Sequence, residues 1–301
     1  MAAASVAAIA YFVWGGIRLA FFARILSLMG VSGLFVYPLK SAKGIAVDRL
    51  EFDSVGVWLD RRWMLVDERG EFLSQRTSPK MALIEITPQG DHLRLAAPDM
   101  PACHVPMAAP AAGERSISVE IWSRHCNAEF VDAGGDGIDR WFSEFLRRPC
   151  RLVRMPRAAE GDGHAAVGIA PPSFVDGFAV HIVTQASLDA LNAKLRQPVG
   201  IERFRPNIVI NGAQPHAEDG WHQITAGALE LDILGPCPRC AIPSIDQDSG
   251  RATKEPLRTL RSYRTFGSKI EFGQNARHRR PGTLRVGDAV TVRAYKSAQA
   301  V

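Results

Sequence analysis

Cysteine is scarce in this sequence: five residues in 301, Cys103, Cys126, Cys150, Cys237 and Cys240. A low, odd count argues against a secreted disulfide scaffold and for a reducing compartment. No segment repeats at the period of a solenoid or propeller. No ferredoxin-like cysteine cluster, dinucleotide fingerprint or RNA-binding signature is present. Gly134-Gly-Asp-Gly137 is a short flexible loop without the context of a nucleotide site. Apolar residues at 47% and charged residues at 22% match ordinary globular usage. That excludes a largely disordered, collagen-like or multi-span membrane chain. The length fits about two domains.

Charge is missing altogether from residues 1–17, and Ala2–Ile17 is almost wholly apolar. Arg18 and Arg24 then interrupt a second apolar run, Leu19–Leu28. A spanning helix needs about 20 apolar residues, so the stretch is borderline. As an anchor, residues 2–28 would leave both arginines and the folded domains on the cytoplasmic side. A cleaved signal peptide fits less well, because no charged n-region precedes the apolar run. The other reading starts the protein at Met29, directly before the first patterned segment. The expected location is the cytoplasm, or a membrane with the domains facing it.

The formal charge is +5, and it is unevenly placed. Residues 251–285 hold ten basic side chains against Glu255 and Glu271, a net of +8, so the other 266 residues net −3. The basic ones are Arg251, Lys254, Arg258, Arg261, Arg264, Lys269, Arg277, Arg279, Arg280 and Arg285. Such a local surplus points to an anionic ligand or an acidic partner for one region. A solvated arginine-rich surface is the plainer alternative.

Alternation and β-branched content predict strands at Val31–Tyr37, Ala46–Phe52, Trp63–Asp67, Ala82–Thr87, His92–Leu95 and Ile117–Trp122. Pro98–Gly113 reads as a loop. A helix is predicted at Gly137–Arg147, stopped by Pro149, then a strand at Arg151–Arg154. Residues 156–172 are rich in Gly, Pro and Ala and read as a mobile loop. Strands at Ala179–Val183, Asn207–Ile210, Ala228–Leu234 and Leu284–Ala294 follow, with a helix at Ser187–Leu195 capped by Thr184. The expected class is α+β and β-rich, with a barrel-like C-terminal part.

The chemistry centres on Pro236-Cys237-Pro-Arg-Cys240. A redox CxxC wants its first thiol at a helix N-terminus, and Ala241-Ile-Pro-Ser-Ile-Asp is a poor helix start. A structural zinc site wants a second ligand pair, and His216 and His222 lack the spacing. On the motif alone, two buried small thiols is the favoured reading. Asp246 and Asp248 mimic a calcium loop, but no final Glu is correctly spaced and Pro243 intrudes, so they read as a tight turn.

Context adds to this. Tyr37-Pro-Leu-Lys-Ser-Ala-Lys-Gly44, Asp60-Arg-Arg-Trp63 and Ser74-Gln-Arg76 lie near the start. Glu202-Arg-Phe-Arg-Pro-Asn-Ile-Val-Ile-Asn-Gly212 precedes the cysteines. Ile245-Asp-Gln-Asp-Ser-Gly250, Phe272-Gly-Gln-Asn275 and Pro281-Gly-Thr-Leu-Arg-Val-Gly-Asp288 follow them. Together these blocks resemble the MOSC family, a sulfurase-type C-terminal domain preceded by an N-terminal β-barrel domain. Within it, the chain most resembles the amidoxime-reducing components and their bacterial relatives, over about residues 31–294. The organisation this implies is an apolar segment at 1–28, a MOSC N-terminal β-barrel-like domain at 30–122, a helix and connecting segment at 123–172, and a MOSC domain at 173–295.

The resemblance implies a molybdenum cofactor, a pterin dithiolene with a terminal phosphate. Its metal-ligating cysteine falls on Cys240, a soft thiolate suited to molybdenum. Arg239 beside it would favour the thiolate, and Cys237 matches a non-ligating position. Lys40, Ser41 and Arg61 match anion-binding positions, where arginine offers a fork and lysine a compact charge. Asp176, Gly177, Arg205 and Asn207 match positions that hold the pterin, and Asn275 matches a further cofactor contact. Pyridoxal phosphate binding is an additional expectation attached to the family.

The implied activity is reduction of N-hydroxylated compounds such as amidoximes and hydroxylamines. With no electron-transfer motif of its own, the chain is expected to receive electrons from a separate cytochrome b5-like or ferredoxin-like donor, with residues 251–285 as an acidic donor's dock. The alternative is a sulfur carrier holding a persulfide on Cys240. A nucleic-acid or lipid-binding module using the basic segment ranks last, and no nucleic-acid partner is expected.

Overall fold

The structure is a computed structural model that describes residues 28–108, 116–122, 124–132, 137–156 and 174–297. The apolar residues 1–27, most of the 156–172 loop and Gly134–Asp136 lie outside these, as do residues 109–113 of the Pro98–Gly113 loop. No described helix is long and apolar enough to cross a membrane.

β-branched and aromatic alternation builds a nine-stranded sheet. Eight strands run in the spatial order Val290–Tyr295, Trp221–Ala226, Leu229–Pro238, Lys269–His278, Val180–Thr184, Ile208–Asn211, Gly30–Val36 and Ile45–Val47; Thr265–Phe266 pairs with Lys269–His278. Val180–Thr184 and Ile208–Asn211 run parallel. The helix Gln185–Asn192 lies in the crossover between them. Thr184 caps it by accepting from the Ser187 amide, as expected.

The first strand of the chain therefore sits inside a sheet built mostly from its last third. Gly30–Val36 pairs antiparallel with Ile208–Asn211, matching Gly30 to Asn211 and Leu34 to Ile208. A second tie joins Arg49–Phe52 to Gly282–Arg285. The remaining early strands form two smaller sheets. Trp63–Val66, Arg151–Arg154, Arg124–Phe130 and Ser116–Ile121 make one, and Glu85–Gln89, His92–Ala96 and Cys103–Pro106 make the other. One apolar cluster runs through both halves, from Leu34, Leu50, Trp63 and Leu65 to Ile182, Leu231 and Leu284. The helix Ile138–Leu146 feeds Trp141, Phe142 and Phe145 into it. Its end is set by Arg147, whose left-handed backbone closes the last turn before Pro149 is reached.

Several expectations change. Ala82 lies in a 3-10 turn, Pro79–Leu83, because Pro79 presets that geometry, and the strand begins only at Glu85. The expected single strands Ala46–Phe52 and Leu284–Ala294 are each two shorter ones. Cys103–Pro106 is a strand inside the predicted loop. Arg124–Phe130, Trp221–Ala226 and Lys269–His278 are strands that the reading did not anticipate. The last runs through the basic segment and is largely buried.

That segment is not one cationic face. Arg264 is buried against Asp219 at 2.7 Å, Arg277 and Arg279 share Asp232, and Arg258 pairs with Glu255. Arg251, Lys254, Arg261, Lys269, Arg280 and Arg285 remain exposed.

Gly273 shows how tightly the central strand packs. Its φ is +76°, and a Cβ there would stand 2.6 Å from His181 Nε2 and 2.7 Å from the Ile182 carbonyl oxygen. Gly273→Ala should therefore lower unfolding stability by about 3 kcal/mol through combined backbone strain and overpacking. Urea denaturation with an unchanged midpoint would contradict this packing.

Candidate active site

A cavity of about 260 Å³ opens where the two halves meet. Lys40, Ser41, Arg61, Asp176, Gly177, Arg205, Asn207, Arg239, Cys240 and Asn275 all line it. Residues more than 200 positions apart thus converge on one cleft.

Behind Arg61 and Arg205 lies Tyr37, delivered by the end of the Gly30–Val36 strand. The ring is fully buried, and its hydroxyl donates to the Pro206 carbonyl at 2.9 Å. Gly44 allows this close approach, since a Cβ there would sit 2.3 Å from the ring. Two guanidinium groups lie against the same ring, Arg61 at 4.2 Å and Arg205 at 4.3 Å. Asp60 pairs with Arg61. Arg61 also donates to the Arg205 carbonyl, and Arg205 donates to the Ala42 carbonyl at 2.6 Å. Burial, and then the neighbouring Arg61 charge, push the Arg205 pKa down to about 10. Ser41, Arg61 and Arg205 all hold left-handed backbone, at φ of +69°, +50° and +55°. Such strain costs about 1–3 kcal/mol per residue and gathers at functional sites.

One side of the cleft is Lys40, which is 5% exposed. Its ammonium donates to the Phe174 carbonyl and to Asp176. Burial pulls the Lys40 pKa down, and Asp176 opposes that. Asp176 sits at the rim and also accepts from the Trp122 indole at 2.9 Å. Burial works against its charge, but Lys40 and Trp122 hold its carboxyl well below the usual range. Arg76 stacks 4.1 Å from the Trp122 ring. Gly177 leaves open space, with nothing within 4 Å of an added Cβ.

The other side carries the cysteines. The Leu229–Pro238 strand shifts register between Pro236 and Pro238 and ends at the motif. Cys240 then leads into a three-residue 3-10 turn, Ile242–Ser244. Arg239 was expected to favour a thiolate on Cys240. Its Nη1 instead donates to Cys237 Sγ at 3.0 Å, and its Nη2 donates to the Phe204 carbonyl. Burial pushes the Cys237 thiol up, partly offset by Arg239. Asn207 is 1% exposed and already clamps two strands: its oxygen accepts from the His181 amide and its nitrogen donates to the Phe35 carbonyl. Asn275 donates to the Pro236 carbonyl at 3.1 Å.

The charge of the cleft is suited to an anion. Lys40, Arg61, Arg76, Arg205 and Arg239 line it, and among the described residues only Asp60 and Asp176 are ion-paired to them. Five cations against two carboxylates leave three positive charges uncompensated. Arg76 Nη1, Arg205 Nη2 and Arg239 Nε are buried without a hydrogen-bond partner among the described residues. Each such donor costs about 1–3 kcal/mol unless an acceptor meets it. A phosphate-bearing pterin fits this donor set. Among the described residues, no group of three or more His, Cys, Asp or Glu side chains is placed to hold a metal ion. A metal at Cys240 therefore needs its other donors from a bound cofactor.

Comparison with known proteins agrees with this architecture. Residues 28–149 match the MOSC N-terminal beta barrel domain, and residues 171–291 match the MOSC domain. The chain belongs to the MOSC-domain family, with the N-terminal β-barrel domain ahead of the MOSC domain. It is 32% identical over 285 residues to mitochondrial amidoxime reducing component 2 of Rattus norvegicus, covering 86% of this chain and 82% of that one. It is 33% identical over 291 residues to mitochondrial amidoxime-reducing component 1 of Homo sapiens, covering 89% and 84%.

Tyr37, Asp60, Arg76, Trp122 and His181 were not anticipated as site residues. Tyr37, Asp60 and Arg76 left a trace as members of the quoted blocks, whereas Trp122 and His181 left none as site residues. His181 has a measurable consequence. Burial, then Arg239 and Arg61, push its pKa down to about 3. The folded chain therefore keeps it neutral where the unfolded chain would protonate it. Its contribution to stability is complete above pH ~6.5 and is lost as pH falls towards about 3. His181→Gln should flatten the slope of unfolding free energy against pH in that window by up to ~1.4 kcal/mol per pH unit. Equal slopes in denaturant titrations of the two proteins would refute a neutral buried imidazole.

Proposed function

We propose that this protein is a molybdenum cofactor-dependent reductase of small N-hydroxylated compounds, fed by a separate electron-donor protein. The uncompensated positive charge of the cleft, with Cys240 at its wall, carries this reading. Its similarity to proteins named amidoxime-reducing components supports the reaction class.

When bound, the molybdenum pterin supplies a two-electron centre that can take the oxygen of an N–OH group. This chain's residues bind and orient. Lys40, Arg61 and Arg205 offer the donors for a terminal phosphate, with the Tyr37 ring fixing both guanidinium planes. Asp176 and Gly177 border the side of the cleft beside Trp122. Asn207 holds the strands that place His181, and Arg239 holds Cys237, which leaves Cys240 as the thiolate for the metal. The two electrons and two protons that turn N–OH into N–H and water must come from outside. A cytochrome b5-like or ferredoxin-like donor fits, and exposed Arg251, Lys254, Arg261 and Lys269 offer it a basic landing surface. Pyridoxal phosphate has no part in this reading, since the Lys40 amine is buried and committed to Asp176 and the Phe174 carbonyl.

Metal analysis tests the assignment directly. Purified protein should carry molybdenum near one atom per chain, and Arg205→Gln should lower that content. Cyanide-labile sulfur without molybdenum would replace the reductase with a sulfur carrier. In a benzamidoxime reduction assay with an added donor, Cys240→Ala should be inactive while Cys237→Ala keeps most of its activity. Equal loss in both would contradict a single cysteine ligand.

A further inference from the structure

A second cavity, of about 280 Å³, shares no lining residue with the first. Arg62 and Trp63 form its polar wall, one residue beyond Arg61. Both are buried, at 4% and 2% exposure. Arg62 spends Nη2 on Asp53 at 2.7 Å and turns Nη1 to the Met155 sulfur, a weak acceptor, at 3.8 Å. Its Nε has no partner, and neither does the Trp63 indole nitrogen. Both atoms can only donate. The one carboxylate lining the cavity, Asp53, already accepts from Arg62 Nη2. Among the described residues, two buried donors on side chains that line the cavity thus have no acceptor.

Arg154 completes the polar wall, donating to the Met155 and Met107 carbonyls, and the rest is apolar. Trp58 stands half-exposed at the cavity edge, and Leu59 and Met107 continue the surface. Asp53 pairs with Arg62, and the apolar Trp58, Leu59 and Met107 favour a head group that carries an apolar body over a bare inorganic anion. A single negative charge on an acceptor-only head group, joined to an apolar body, fits both the donors and the walls.

We propose that this cavity is a second ligand site, for a small monocarboxylate with an apolar body. Its carboxylate accepts from Arg62 Nε and Trp63 Nε1, and its body packs on Trp58 and Leu59. The site adjoins the active-site frame without entering it: the Lys40 amide donates to the Trp63 carbonyl at 2.8 Å.

The test is a titration of the full ¹⁵N-labelled protein with sodium benzoate, read at the Trp63 indole N–H resonance assigned by through-bond experiments. That resonance should shift and saturate. Trp58→Ala removes an exposed wall that does not line the active-site cleft, and should raise the half-saturation concentration about fivefold. Inorganic phosphate should shift the resonance far less. A Trp63 resonance that does not move with benzoate, or saturates identically in Trp58→Ala, overturns the site. An equal response to phosphate overturns the monocarboxylate assignment.

Discussion

Two arginines pressed against one buried tyrosine are the constraint on which the rest of the site depends. Arg61 and Arg205 repel one another, and removing each from water costs several kcal/mol. The fold meets that cost piecemeal. Asp60 pairs with Arg61, the Tyr37 ring gives both cations an electron-rich surface, and carbonyls of Ala42 and Arg205 accept from the guanidinium groups. The compensation is incomplete, because Arg205 Nη2 still lacks a partner. A structure tuned only for stability would replace such a pair with apolar side chains. Its retention is understandable if an anion completes it.

The same pair explains why the chain's first strand crosses into the last third's sheet. Tyr37 and Arg61 come from one half, and Arg205 and Pro206 from the other. Their contacts require the Gly30–Val36 strand to lie beside Ile208–Asn211. Asp60 accepts from the Tyr37 amide at 2.9 Å, so the residue that neutralises Arg61 also fixes the end of that strand. A reciprocal amide pair, Gln75 with Gln247, closes the other side of the junction. The cleft is thus rigid where it holds charge. At its rim, Asp176 is held by both Lys40 and the half-exposed Trp122.

Much of this was legible in the sequence, and the failures have physical causes. Strands with plain alternation, such as His92–Ala96, show their buried faces by composition. Lys269–His278 does not, because Gly273, Gln274, Asn275 and Arg277 look like surface residues when read alone. The first three are buried and Arg277 is half-buried, held by partners distant in sequence: Gln274 donates to Asp219 and Arg277 to Asp232. The charge count of residues 251–285 misled for the same reason, since a linear sum cannot see acids on neighbouring strands. Lys40, Ser41, Arg61 and Arg205 were reached through family resemblance. No spacing rule links positions 40 and 205. Tyr37 was hidden by its role, as an aromatic at a strand end reads as core whether or not cations rest on it.

The cysteine motif shows how local structure decides between chemistries that the motif leaves open. A redox CxxC depends on a helix N-terminus to stabilise the first thiolate. Here the segment after the motif is a 3-10 turn of three residues, too short to offer that field. Cys237 lies on the strand itself, and burial raises its pKa while Arg239 only partly lowers it. The arginine serves Cys237 rather than Cys240, contrary to what adjacency in sequence suggests, because its guanidinium is held between the Cys237 sulfur and the Phe204 carbonyl. Cys240 lies past the strand's end and lines the cleft. Two thiols separated by two residues thereby sit in different electrostatic surroundings, and the strand boundary at Pro238 is what separates them.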